Sequence, residues 1–185
     1  MQHDLTLSAG PYTLRPLQEG DIAPLLALAQ ASAHEYAQMV TPPTLARYYA
    51  AALQAGDQQP FVALVNGEYA GATRYMEMRP AQKRLEIGST WLAPAYMRTP
   101  ANRTFKRLLL AHAFEVLGMR RVEIKTDLLN TRSQQAIEEL GAVREGVLRQ
   151  HMPRQDGTQR DTVMYSIVAA EWPAVRARLE GSARR

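Results

Sequence analysis

The dipeptide Asn66-Gly67 constrains this chain more than any other short feature. It separates Phe61–Val65 from Glu68–Met78, two runs rich in apolar and β-branched residues. Both central positions of a two-residue hairpin turn want positive φ, which Asn and Gly tolerate. The spacing therefore predicts an antiparallel hairpin. Tyr12–Leu17 alternates apolar and polar residues and reads as another strand. Between these strands, Asp21 can cap a helix that buries Ile22, Leu25, Leu26 and Leu28. Pro42-Pro43 closes that region, and Thr44–Ala55 reads as a second helix stopped at Gly56.

The pattern changes in the second half. Gln82–Leu92 reads as a strand. Thr104–Leu117 has apolar residues at helical spacing and ends at Gly118. Arg121–Thr126 alternates as a strand. Asn130 or Ser133 can cap a helix that runs to Leu140, with Gly141 at its C′ position. Val143–Gln150 and Thr158–Val168 read as strands around a turn at Asp156-Gly157, and Glu171–Leu179 is a short last helix. Hairpin strands followed by strand–helix–strand predict an α/β (α+β) fold, a mixed sheet flanked by helices. The 185 residues suit a single domain, and neither a repeat nor an interdomain linker interrupts them.

Composition narrows the chemistry. There is no Cys, which excludes disulfides, a thiolate nucleophile and Cys-ligated metal. The four His residues (His3, His34, His112 and His151) are too scattered to suggest a metal site, so none is expected. No apolar run approaches a membrane span, and the first five residues lack the pattern of a secretory signal. The expected location is the cytoplasm, with no membrane partner.

Net charge is +4, but it is unevenly placed: residues 1–80 sum to −3 and residues 81–185 to +7. No acid falls between Glu86 and Glu115, whereas Arg98, Arg103, Lys106 and Arg107 do. Such asymmetry suggests an anionic partner for the second half. Thr99 is a good N-cap and Pro100 suits the first helical position, so a helix begins inside this acid-free window. A helix N-terminus is itself positive, and added cations destabilise it by about 0.3–1 kcal/mol each. A phosphate bound at the helix start would reverse that sign. The plain alternative is that the long side chains extend into solvent.

These segments resemble one family. LEIGSTWLAPAY (85–96), the Thr99–Asn102–Lys106 pattern, the run 112–152 and RDTVMYSIVAAEW (160–172) are similar, in order and spacing, to the GCN5-related N-acetyltransferase (GNAT) superfamily. The branch that matches includes the ribosomal-protein N-terminal acetyltransferases. The resemblance implies a mixed sheet splayed into a V-shaped cleft that holds acetyl-coenzyme A. It divides the chain into a variable acceptor-side half (1–80), a cofactor-binding half (81–172) and a C-terminal helix and tail (173–185). It places Trp91, Leu92, Met97, Arg98, Thr99, Asn102, Lys106 and Asn130 at the cofactor. The family's phosphate loop usually reads Gln/Arg-x-x-Gly-x-Gly/Ala. Here Met97, Pro100 and Asn102 stand in those positions, and Pro100 has no N–H to donate.

Acetyl transfer to an amine needs a neutral amine, a stabilised oxyanion and a proton for the departing thiolate. Many family members use a Tyr in the helix after residues 121–126, and none lies there in this chain. Ser133 is the candidate acid, with helix capping as its plain alternative. The ribosomal branch carries a carboxylate where Met152 stands, so the base is sought elsewhere. Glu86 is the candidate and His151 the second, expected to face away from Met152 because strand neighbours alternate. A structural ion pair with an Arg is the alternative for Glu86.

The expected activity is therefore transfer of acetyl from acetyl-coenzyme A to a primary amine, either a protein N-terminus or a small molecule. Met39, Met76, Met78, Tyr36, Tyr48 and Tyr75 either line the acceptor pocket or belong to the core. Alternatives are a non-catalytic coenzyme A-binding protein and a basic nucleic-acid-binding domain, motivated by a pI near 9.6. The oligomeric state stays open, with a homodimer among the options.

Overall fold

The computed structural model describes residues 3–154 and 156–181; the end of the expected tail, residues 182–185, lies outside them. The described residues build one mixed sheet of eight strands, in the order β1-β2-β3-β4-β5-β6-β8-β7. The strands are β1 (Leu7–Ala9), β2 (Tyr12–Pro16), β3 (Gln59–Val65), β4 (Glu68–Arg79), β5 (Arg84–Leu92), β6 (Arg121–Asp127), β7 (Val143–Pro153) and β8 (Gln159–Val168). The expected hairpin is present. Asn66 and Gly67 have φ of 53° and 83°, as a two-residue turn requires. The helices are α1 (Ile22–Gln30), α2 (Ala46–Gln54), α3 (Pro100–Ala111), α4 (Thr131–Leu140) and α5 (Trp172–Gly181).

Two apolar clusters cover the two faces of the sheet. Phe105 and Leu109 of α3, Ile137 of α4 and Val175 of α5 pack with Leu85, Ile87, Val122, Ile124 and Tyr165 of the strands. On the other side, Leu25 of α1 and Tyr48 and Tyr49 of α2 pack with Val62, Ala72 and Trp91. Alternation along each strand then decides where polar groups go. Glu123, Lys125 and Asp127 of β6 lie between the buried residues of the first cluster, so they face away from α3.

One junction dominates the architecture. β5 and β6 run parallel, but only Arg84, Leu85 and Glu86 pair, with Arg121, Val122 and Glu123. Beyond that seam the strands part. On its other side β5 stays with β4, through a bulge between Arg74↔Gly88 and Ala72↔Trp91. Ser89, at φ 46°, absorbs that bulge. Gly71 permits the close approach there: a Cβ on it would lie 2.1 Å from the Trp91 carbonyl oxygen, and its φ is 153°.

Several elements differ from the sequence reading. Asp21 stands at the α1 N-cap but makes no capping bond. Its carboxylate instead takes the Arg15 guanidinium at 2.7 and 2.8 Å, the Gln18 amide at 2.8 Å and the Tyr69 hydroxyl at 2.8 Å. A buried carboxylate gains more from a cation than from helix amides. The helix expected to end at Leu117 is α-helical only to Ala111 and continues as a π-turn, His112–Val116, with Leu117 N–H donating to the His112 carbonyl at 3.0 Å. Phe114 in that turn stacks on Trp172 at 5.5 Å. β1 was not anticipated, because three residues are too few to show alternation. β7 runs past Gln150 to Pro153, and Gln150, at φ 49°, marks an irregular register against β8.

Candidate active site

The parting of β5 and β6 opens a cleft of about 1610 Å³. One wall comes from the start of α3 and the start of α4, and the other from the strand faces turned away from α3. Every residue named above as a cofactor or catalytic candidate lines it.

The α3 wall is built for negative charge. Thr99 caps the helix: its Oγ1 accepts from the Ala101 amide at 3.2 Å and donates to the Tyr96 carbonyl at 2.8 Å. Pro100 brings no N–H. Helix geometry leaves the amides of Thr99 and Asn102 without an i−4 partner. The first turn holds no acid, and Arg98, Arg103 and Arg107 border the cleft beside it. Arg98 has φ 58°. Arg103 reaches the Arg178 carbonyl at 2.7 Å, and its buried Nε has no partner. These donors fit a diphosphate, which would use the open amides, the helix charge and the bordering guanidinium groups together.

Lys106 behaves differently from its neighbours. It is 5% exposed, and its Nζ donates to Thr90 Oγ1 of β5 at 2.6 Å, away from the first turn of α3. Burial pushes its ammonium down to about 7, opposed by the attraction of Glu86. Thr90 also shares a 2.7 Å hydrogen bond with Thr73. The strand end beside it is rigid. Trp91 and Leu92 are buried, the Leu92 carbonyl accepts from the Tyr36 hydroxyl at 3.0 Å, and the Trp91 indole N–H is buried without a partner.

Asn130 and Ser133 divide the roles left open between them. Asn130 is the cap, its Oδ1 accepting the Ser133 amide at 3.0 Å. The Ser133 hydroxyl makes no hydrogen bond among the described residues and faces the cleft. Next to it, Arg132 binds Glu35 at 2.6 Å and contacts the Met97 sulfur at 3.6 Å. This ties the start of α4 to the segment between α1 and α2.

Glu86 is the last residue of the β5–β6 seam and is 7% exposed. Lys125 holds its Oε2 at 2.8 Å. An ion pair is thus present, with Lys125 as the partner, and it sits in the cleft. Gly88 gives the other oxygen room, since a Cβ there would come within 2.8 Å of Oε1. His151 bonds Thr162 Oγ1 through Nδ1 at 3.1 Å. Met152 lines the cleft as well, so the irregularity at Gln150 overrides the expected alternation of these two.

Of the residues weighed as pocket or core, Tyr36, Tyr48, Met39 and Met76 line the cleft. Tyr75 is core, its hydroxyl donating to the Leu109 carbonyl at 2.6 Å, and Met78 packs against the larger cluster. The Tyr48 hydroxyl donates to the Ser89 carbonyl at the bulge. The sequence reading passed over Lys125, Thr90, Arg74 and Arg160, all of which line the cleft. For Lys125 a partial signal existed, because the alternation of Arg121–Thr126 puts it on the strand face opposite Val122 and Ile124.

A mixed sheet split at a short parallel seam, with a cationic helix start aimed into the split, is the architecture expected of a GCN5-related acetyltransferase. Residues 12–143 match the family model described as an acetyltransferase (GNAT) domain, and the chain belongs to that family. Among curated relatives, the uncharacterised N-acetyltransferase YoaA of Bacillus subtilis (strain 168) is 31% identical over 101 residues, 55% of this chain and 56% of that protein. YdaF of the same organism, provisionally described as a ribosomal N-acetyltransferase, is 28% identical over 109 residues, 59% and 58% of the two chains. The chain thus spans little more than half the length of the curated relatives it matches. A solved structure from T. thermophilus, provisionally described as an acetyltransferase, is 34% identical, covers 98% of each chain and superposes with a TM-score of 0.89. The family agrees with the resemblance read from the sequence.

Proposed function

We propose that this protein is an N-acetyltransferase that moves acetyl from acetyl-coenzyme A directly to a primary amine. The observation that carries this reading is the two-sided cleft at the seam. One wall offers open amides, cations and a hydroxyl free of hydrogen bonds among the described residues, and the other offers a buried carboxylate.

Acetyl-coenzyme A, when bound, supplies an acetyl group as a thioester. The α3 start, with Thr99, Asn102, Arg98 and Arg103, holds its diphosphate. Met97, Trp91, Leu92 and Asn130 border its path to the seam. The acceptor enters from the face opposite α3. Glu86, directly or through one water, takes the proton from the incoming ammonium so that its nitrogen can attack. The new C–N bond forms at the acyl carbon as the C–S bond breaks. The Ser133 hydroxyl gives its proton to the departing sulfur and is reprotonated from solvent, while the second proton on the new amide nitrogen leaves to water. His151, anchored on Thr162, stands second to Glu86 as base. No covalent enzyme intermediate is needed, which suits a chain without Cys.

The test is calorimetry with acetyl-coenzyme A, followed by thiol release across peptide N-termini, polyamines and amino acids. Glu86→Gln should keep cofactor binding and lower turnover by about 10²-fold or more. A wild-type protein that binds no acetyl-coenzyme A and releases no thiol with any amine defeats the reading.

A further inference from the structure

The strand face opposite α3 carries charges that can be followed one by one. Lys125 neutralises Glu86 at 2.8 Å, Arg121 lies 3.0 Å from Glu123, and Arg154 grips Asp127 at 2.8 Å. Both Asp127 oxygens are already taken, by Arg154 Nε and Nη2 and by the Leu129 amide. Arg160 is left over. It sits on β8, opposite Met152 of β7, on the same face as Thr162 and therefore away from α3.

The Arg160 side chain has no hydrogen bond or ion pair among the described residues, and its Nε is buried without a partner. Asp127 and Glu86 attract it only through space, while burial disfavours its charge. A guanidinium half-buried and left unpaired is costly, and structures rarely keep one without a counter-ion. The diphosphate cannot be that counter-ion, because α3 stands across the sheet. Arg160 instead borders the acceptor side of the cleft, within Coulomb range of the proposed base.

We infer that Arg160 is an acceptor-binding residue, and that the preferred acceptor is an aminocarboxylate: an amine presented to Glu86 with a carboxylate held by Arg160. This rests on the acetyl-transfer reading and adds the substrate class. A guanidinium fits a carboxylate with two parallel N–H···O bonds, so it supplies orientation as well as charge. The carboxylate belongs either to a free amino acid or to an acidic residue near a peptide N-terminus. Both present the same chemistry.

The experiment compares matched acceptors that differ only in the carboxylate: β-alanine against ethylamine, lysine against cadaverine, and a peptide with acidic residues after its N-terminus against its amide counterpart. Wild-type kcat/KM, measured by thiol release, should favour the carboxylated member by at least about tenfold. In Arg160→Gln that ratio should fall towards one, mainly through a raised KM, and Arg160→Lys should restore part of it. Carboxylated acceptors should also raise the thermal midpoint of the wild type and not of Arg160→Gln. Whether the amino-acid or the peptide pair gives the larger ratio identifies the source of the carboxylate. Turnover of both members with equal kcat/KM, or an unchanged ratio in Arg160→Gln, overturns this inference and leaves the acetyl-transfer reading intact. No thiol release with any of these acceptors overturns this inference, and only if the protein also binds no acetyl-coenzyme A and releases no thiol with any other amine does the acetyl-transfer reading fall with it.

Discussion

Lys106→Met should make the free protein more stable at neutral pH, although it removes a hydrogen bond. Lys106 is 5% exposed, and its ammonium falls from an ordinary 10.5 to about 7, chiefly through burial. At about 1.36 kcal/mol per tenfold change in proton affinity, charging this amine in the folded state is disfavoured by roughly 5 kcal/mol relative to the unfolded chain. Between pH 7 and 10.5 the unfolded chain binds more protons, so wild-type stability rises with pH across that window and is lowest below it. At pH 7 the penalty is roughly 4 kcal/mol, and by pH 9 it has fallen by about 2 kcal/mol. The variant loses the bond to Thr90, about 1 kcal/mol. Thr90 is not orphaned, because Thr73 still bonds its hydroxyl at 2.7 Å. Urea unfolding should therefore show the variant ahead by roughly 2–3 kcal/mol at pH 7, with the lead shrinking by about 2 kcal/mol at pH 9. Titrations shared by both proteins cancel in this difference. A variant less stable at pH 7, or a lead that does not change with pH, refutes the account of Lys106 as a cation held in place against its desolvation.

Gly71→Ala should lower stability by more than roughly 3 kcal/mol in the same assay, since its Cβ would meet the Trp91 carbonyl at 2.1 Å and its φ of 153° disfavours a side chain. Ser133→Ala should reduce kcat by roughly 10²-fold with the affinity for acetyl-coenzyme A unchanged, as removal of a general acid predicts; an unchanged kcat would return Ser133 to a purely structural place in the first turn of α4. The Asp127 carboxyl is buried, yet the Arg154 guanidinium and the Leu129 amide hold it below its ordinary 3.8. Its contribution to stability is complete above that value and is lost as pH falls through the lower folded one. Asp127→Asn should therefore unfold more readily at neutral pH while losing less on acidification, measured by far-ultraviolet circular dichroism from pH 7 to 2.

The fold was legible wherever a local signal had no competitor. Asn66-Gly67 could only be a turn, Gly141 only a left-handed cap, and Thr99-Pro100 only a helix start. The acid-free window marked the cationic wall of the cleft, because charge along a chain survives folding when it lies on one short element. Legibility ended where tertiary partners outbid local ones. Asp21 was read as a cap, but Arg15 and Tyr69, distant in space until the sheet forms, took its carboxylate. Lys106 was grouped with the cations of the window, yet helical spacing turns it inward onto Thr90. Arg160 carried no signal at all: a lone Arg in a strand looks like any surface charge, and only the three-dimensional pairing of every nearby acid leaves it over. The alternation rule misplaced Met152 relative to His151 because a single residue at φ 49° resets the pleat.

The three-residue seam between β5 and β6 has a consequence of another kind. Past Glu86 and Glu123 the facing edges of β5 and β6 no longer pair with each other, so two strand edges lie across a gap inside the molecule. Exposed at a surface, such edges would invite another chain. Enclosed between the starts of α3 and α4, they border the cleft instead. The most aggregation-prone feature of a sheet is thereby turned inward, away from other chains.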